Sequence, residues 1–144
     1  MPEHRLQQEE LSLAELEYIE DELYEFNKAA TGITDGRALG VVLRDETATL
    51  VAAAAGHTWG DTCELRQVWV AEPLRLQGIG RRLLAEAEAQ AIRRGCRQLV
   101  LSTHSFQAPQ FYEKLGFAVV SEVEDYPSGH SQVVLRKRLG DHAG

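Results

Sequence analysis

Apolar and polar positions alternate along this chain with a period that changes several times, and each change marks a new element. Leu16, Ile19, Leu23 and Phe26 recur at helical spacing while acids fill the remaining face. Glu15 to about Ala30 is therefore predicted to be an amphipathic helix with an acidic outer side. From Arg37 the run Ala38-Leu39-Gly40-Val41-Val42-Leu43, a turn at Asp45-Glu46 and then Thr49-Leu50-Val51-Ala52 predict a strand hairpin. A third strand covers Glu64 to Val70, ahead of Pro73. The helical period returns from Gly80 to about Arg94, with Leu83, Leu84, Ala87 and Ala91 on one stripe and Gly95 as a stop. Cys96 to Thr103 reads as a strand buried on both faces around Leu99-Val100-Leu101. A short helix opens near Ala108-Pro109 and ends at Gly116, since proline suits a first helical turn. Phe117 to Val123 and Ser131 to Leu139 are closing strands around the turn Tyr126-Pro127-Ser128-Gly129-His130. The order α-β-β-β-α-β-α-β-β predicts a mixed α/β fold with a strand-helix-strand unit at its centre. It is not the regular alternation of a doubly wound dinucleotide fold.

Composition narrows the class. With 144 residues and 44% hydrophobic content the chain can bury one core, and residues 1–144 are expected to form a single domain. There is no repeat or low-complexity linker, and Gly140 to Gly144 read as a loose end. A formal net charge of -7 argues against a nucleic-acid partner, which would need a basic face, and suits a cationic small molecule or basic peptide. No run approaches the roughly 20 apolar residues of a membrane span, and the first residues lack the apolar core of a signal peptide. Cys63 and Cys96 sit inside regular structure rather than in a spaced framework, which points to a reducing cytoplasm and to packed thiols. His57, His104 and His130 have no ligand spacing among themselves or with the cysteines, so no metal is expected.

The chemistry concentrates where Val68-Trp69-Val70 gives way to Pro73 and then Arg75-Leu76-Gln77-Gly78-Ile79-Gly80-Arg81. A strand there runs into a glycine-rich turn that opens a helix, whose first N–H groups have no intrahelical partners. Glycines at 78 and 80 carry no β-carbon to hold an anion away, and the helix dipole and neighbouring arginines favour negative charge. A P-loop would need a Gly-Lys-Ser/Thr ending, and a dinucleotide turn a third glycine with an acid about 20 residues on. Neither is present. The other reading of the same glycines is close approach of the helix to a neighbouring element.

This stretch resembles the signature of the GNAT superfamily of N-acetyltransferases, Arg/Gln-x-x-Gly-x-Gly/Ala, with Arg75, Gly78 and Gly80 in its three places. A second family motif resembles Ala108-Pro109-Gln110-Phe111-Tyr112-Glu113-Lys114-Leu115-Gly116-Phe117. The resemblance covers about Arg37 to Leu139 and implies a mostly antiparallel central sheet flanked by helices, with acetyl-CoA as co-substrate. It implies that the strand ending in Val68, Trp69 and Val70 offers backbone groups to the acetyl carbonyl and pantetheine arm. Arg75, with the backbone from Leu76 and Gln77 through Gly78, Ile79 and Gly80 to Arg81, would hold the pyrophosphate, and Tyr112 would sit near the sulfur. Leu76 stands where the family often has glycine, and Ser105 where it often has an asparagine that contacts the pantetheine.

Amine attack on a thioester places negative charge on the carbonyl oxygen and expels a thiolate, so a backbone N–H and a proton donor both lower the barrier. The Val68 backbone and the Tyr112 hydroxyl are the candidates; a core tyrosine is the alternative for the latter. Glu64, four residues before Val68, shares its face unless a bulge intervenes, and is a candidate base for the incoming ammonium. Trp69 is expected to face the opposite way and pack in the core. The acids of the first helix, among them Glu17, Asp21, Glu22 and Glu25, could attract a cation or form a solvated face. The expected activity is direct acetyl transfer to a primary amine of a small molecule or peptide, in a homodimer. A non-catalytic acyl-CoA-binding module is the competing class.

Overall fold

The computed structural model describes residues 4–140, so most of the expected loose end, residues 141–144, lies outside the described residues. Two compact units divide the chain, the first ending at Thr34 and the second beginning at Asp35. The first contains helix α1 (Leu13–Thr31). It begins ahead of its apolar stripe because Ser12 Oγ accepts from the Glu15 N–H and the Glu15 carboxylate accepts from the Ser12 N–H, both at 3.1 Å. Gly32, at φ 74, closes it, and its N–H donates to the Lys28 carbonyl at 2.8 Å.

The second unit follows the predicted order: β1 (Arg37–Arg44), β2 (Leu50–Trp59), β3 (Thr62–Val70), α2 (Ile79–Arg93), β4 (Gln98–His104), α3 (Pro109–Lys114), β5 (Ala118–Glu124) and β6 (Ser131–Arg138). The strands form one six-stranded sheet in the order β1-β2-β3-β4-β6-β5. Only β3 and β4 run parallel, and α2 is the crossover that a parallel pair requires. The sheet is thus mixed and mostly antiparallel, as expected. Leu83, Leu84, Ala87 and Ala91 of α2 are buried with Leu39, Leu65 and Leu99, because the helix lays its apolar stripe across one face of β1, β2 and β3. That layering corrects the expectation for β4. Leu99 and Leu101 are buried while Val100, on the other face, is only partly so.

Cys63 and Cys96 are buried and free, as packed thiols should be. Desolvation pushes the Cys63 thiol up to about 11, which leaves little thiolate near neutral pH. No helix among the described residues is long and apolar enough to cross a membrane.

The feature that shapes the rest of the molecule is a bulge in β3. Ala54 pairs with Val68 and Ala55 with Gln67, yet Gly56 pairs with Leu65, so Arg66 is an extra residue on the β3 side. Below the bulge Cys63 and Leu65 point into the core; above it Val68 and Val70 do. Gly56 makes this possible. A β-carbon there would collide with the Glu64 carbonyl and come within 2.8 Å of the Leu65 α-carbon, so only glycine admits the bulged backbone.

Candidate active site

Beyond the bulge the sheet opens. Parallel pairing of β3 with β4 runs from Thr62 and Gln98 to Leu65 and Leu101 and goes no further, while β4 stays paired with β6 as far as His104. The upper half of β3 therefore leans away from β4 and leaves a cleft of about 300 Å³ lined by Val68, Trp69, Ser102, Thr103, Gln107 and Tyr112, among others. Hydrogen-bond alternation then says which backbone groups face the gap. The Ala71 N–H donates to the Val51 carbonyl at 2.9 Å, so Ala71, Trp69 and Gln67 turn their polar groups toward β2. Val68 and Val70 turn theirs toward the gap. One of these, the Val70 carbonyl, accepts from Arg75 Nε at 3.0 Å.

That hydrogen bond anchors the glycine-rich turn. After a single 3₁₀ turn at Glu72–Leu74, Gln77 Nε2 donates back to the Pro73 carbonyl at 3.2 Å. Leu76 and Gly78 both adopt left-handed backbone, at φ 62 and φ 78. This explains why a glycine suits the Leu76 position, and Leu76 takes it with its side chain fully in solvent. In α2 the Arg82 N–H is bonded to the Gly78 carbonyl at 3.1 Å, and the N–H groups of Ile79, Gly80 and Arg81 precede it without helical partners. No group among the described residues occupies the terminal nitrogens of Arg75, or the guanidinium groups of Arg81 and Arg82. A β-carbon at Gly78 would meet nothing within 4 Å, whereas one at Gly80 would lie 3.2 Å from Phe111 Cζ. The two readings of the glycines thus divide between them. Gly78 borders open space beside unpaired donors, and Gly80 lets α2 press against α3.

Tyr112 is held in α3 between Phe111 and Phe117, edge-on to each, with ring centroids 5.1 and 5.8 Å away. Only 8% of the residue is exposed, yet it lines the cleft. Its hydroxyl has no partner among the described residues. Burial holds its pKa above the usual phenol value, so it keeps its proton.

Other expectations need revision. The bulge puts Glu64 on the opposite face from Val68, where its Oε1 accepts from Arg66 Nε at 2.9 Å. It lines the neighbouring hollow with Val100 and Ser102 rather than the cleft itself. Trp69 does face away from Val68 and Val70, but it is 47% exposed instead of packed in the core, because α2 covers only the other side of the sheet. Ser105 Oγ is engaged as acceptor of the Ser131 N–H at 3.0 Å and does not line the cleft. Sequence reading passed over Gln107, whose Oε1 takes the His104 N–H at 2.9 Å and the Thr103 hydroxyl at 3.3 Å at the cleft edge. It also passed over Gly56, although a lone glycine inside an alanine-rich strand is a bulge signal. Among the described residues no cluster of His, Cys, Asp or Glu could hold a metal ion.

Unpaired N–H groups and free guanidinium nitrogens at one end of a narrow slot suit a pyrophosphate, and backbone groups lining the slot suit a pantetheine arm that reaches inward from it. Such a slot is what an acyl-coenzyme A-dependent transferase needs. The particular family follows from its relatives: the profile of the acetyltransferase (GNAT) family matches residues 4–117, and the chain is a member of that family. An acetyltransferase of Agrobacterium fabrum is 33% identical over 84% of this chain and 88% of its own length. The blasticidin-S acetyltransferase of Streptomyces morookaense is 33% identical over 90% of this chain and 99% of its own. Among solved structures, an acetyltransferase from Bacillus cereus superposes with a TM-score of 0.75 at 33% identity, covering 93% of this chain and 98% of that one. The protein is accordingly an acyltransferase, and acetyl-CoA is its co-substrate.

Proposed function

We propose that this protein moves the acetyl group of acetyl-CoA to a primary amine of a small molecule by direct transfer within a ternary complex. The observation that carries the reading is the open upper half of β3, with the Val68 backbone facing the gap and the Tyr112 hydroxyl, unpartnered among the described residues, at its lining. Arg75 and the Gly78 to Arg81 backbone hold the pyrophosphate. The Val68 N–H donates to the thioester carbonyl oxygen as negative charge grows there. The acceptor nitrogen bonds to the acetyl carbon while the carbon–sulfur bond breaks, and the electron pair leaves with sulfur. The incoming ammonium first sheds its extra proton to Glu64. Tyr112 supplies the proton that sulfur takes up and regains one from the nitrogen once that is bonded to carbon.

Glu64 suits that part because it stands on the face of the sheet away from α2, so acceptor and donor approach the opening from opposite sides. A lysine-like amine is only about one part in a thousand neutral at pH 7.4, so losing the base costs most where protons are plentiful. Glu64→Gln should lower kcat/KM by about tenfold or more at pH 7 and progressively less toward pH 9.5. A pH–rate profile parallel to that of the parent would sink the assignment.

A small molecule is preferred over a peptide because the Streptomyces relative is named for one, blasticidin S. The first test is therefore thiol release from acetyl-CoA with a panel of amines that includes blasticidin S. The family profile runs across both compact units, which supports reading residues 1–144 as one domain. Acetyl-CoA as donor and two free cysteines fit a cytoplasmic enzyme. β5 supports a homodimer, since it is an edge strand with Val119, Val120 and Val123 each about half exposed. Light scattering should return twice the chain mass of 16.0 kDa, and a clean monomer at micromolar concentration would remove the idea.

A further inference from the structure

Four aromatic rings gather where β4 leaves the sheet, and none belongs to the machinery described above. His104, the last residue of β4, stacks on Phe106 with ring centroids 5.2 Å apart and planes 3° from parallel. Tyr126 is tilted against the same His104 ring at 5.2 Å, and His130 meets Phe106 edge-on at 5.1 Å. His104 is locked in place because its Nδ1 lies 3.0 Å from the Tyr126 carbonyl. Despite this ordering the patch is wet: Phe106 is 57% and Tyr126 50% exposed. Ordered rings left half in water are an unspent apolar surface, already fixed at the cost of their own freedom.

The placement gives the patch a purpose. Side chains of β4 alternate, so Val100, Ser102 and His104 lie in a row on the face away from α2. Val100 is the register partner of Glu64, and Ser102 borders the cleft, so His104 stands one step further along the same track. Gln107 ties the two regions together, lining the cleft while its Oε1 holds the His104 N–H. The rims of the rings are polar as well: His104 Nε2, the Tyr126 hydroxyl and the His130 ring nitrogens have no partner among the described residues.

We infer that His104, Phe106, Tyr126 and His130 form the acceptor platform, and that the preferred acceptor carries a flat heteroaromatic group a short chain away from its amine. The inference rests on the acetyl-transfer reading for its direction, because the amine has to reach the opening beside Ser102 while the ring lies on Phe106. Flat faces offer stacking, and the free ring nitrogens and hydroxyl offer hydrogen bonds to ring heteroatoms that a hydrocarbon lacks. An aliphatic polyamine would use neither.

The test compares tryptamine with 2-cyclohexylethylamine, which places a non-planar ring at a similar distance from its amine, in the full chain with saturating acetyl-CoA. Tryptamine should show a KM roughly tenfold lower. Phe106→Ala should abolish that difference by raising the tryptamine KM alone, with kcat and the calorimetric acetyl-CoA affinity unchanged. Phe106→Leu, which keeps the apolar bulk, should lose the preference too. Saturation-transfer NMR of both amines with the CoA-bound protein reads docking without turnover. Turnover with equal KM and equal saturation transfer for the two amines overturns the platform and leaves the acetyl-transfer reading standing. Tryptamine docking that depends on Phe106, without thiol release from any amine, upholds the platform and overturns that reading. Absence of both tryptamine docking and tryptamine turnover overturns the platform.

Discussion

Tyr112→Phe is expected to lower kcat by a factor on the order of 10²–10⁴ while acetyl-CoA affinity stays within about twofold. The substitution removes one hydroxyl and keeps the ring that packs edge-on against Phe111 and Phe117. Because that hydroxyl has no partner among the described residues, its loss strands no buried group and the fold should not notice. Protonating sulfur matters only as the carbon–sulfur bond breaks, so the change should fall on the transition state and spare ground-state binding. Burial raises the phenol pKa, and a raised acid holds its proton to higher pH. Loss of rate from ionisation of Tyr112 should therefore begin only above its ordinary value near 10. Single-turnover thiol release and calorimetry separate the two effects. A variant that turns over at the parent rate, with chemistry limiting, would make Tyr112 a packing residue.

Gly78→Asp should raise the dissociation constant for acetyl-CoA on the order of a hundredfold. About 3 kcal/mol of repulsion arises for each pair of unit charges 5 Å apart in a partly screened site. The structure favours this position over Gly80 for the experiment, since a β-carbon at Gly80 would press on Phe111 and mix packing with electrostatics. At Gly78 the space is open, aspartate tolerates the left-handed backbone better than most residues, and a carboxylate at a helix start steadies the helix. Gly78→Asn repeats the shape without the charge and should bind far better than the aspartate variant. Equal affinities for the two would place the pyrophosphate elsewhere.

How much of this was legible beforehand depended on whether a feature is local. The element order and the strand-turn-helix around Arg75 to Arg81 are written in periodicity and glycine placement, which neighbouring residues enforce. Counting by two, which is all a strand sequence offers, puts Glu64 and Val68 on one face unless a bulge intervenes. Their separation depends on Gly56, a residue of a different strand whose missing β-carbon lets Arg66 bulge. The double meaning of Gly78 and Gly80 was likewise undecidable in sequence, because Phe111 comes from a helix thirty residues on. Trp69 misled for a related reason: alternation gives two faces, but only the packing of α2 says which one is covered.

The central claim is that the opening beside β3 transfers acetyl groups to amines, and it is tested most directly by incubating the protein with acetyl-CoA and the amine panel while following both thiol release and acceptor mass. Thiol release that depends on one class of amine, matched by an equal amount of acceptor heavier by one acetyl group, and no acetylated enzyme, is the predicted result. Acetyl-CoA bound at the turn with no amine-dependent thiol release, or an acetyl group found on the protein itself on the way to the acceptor, would contradict it.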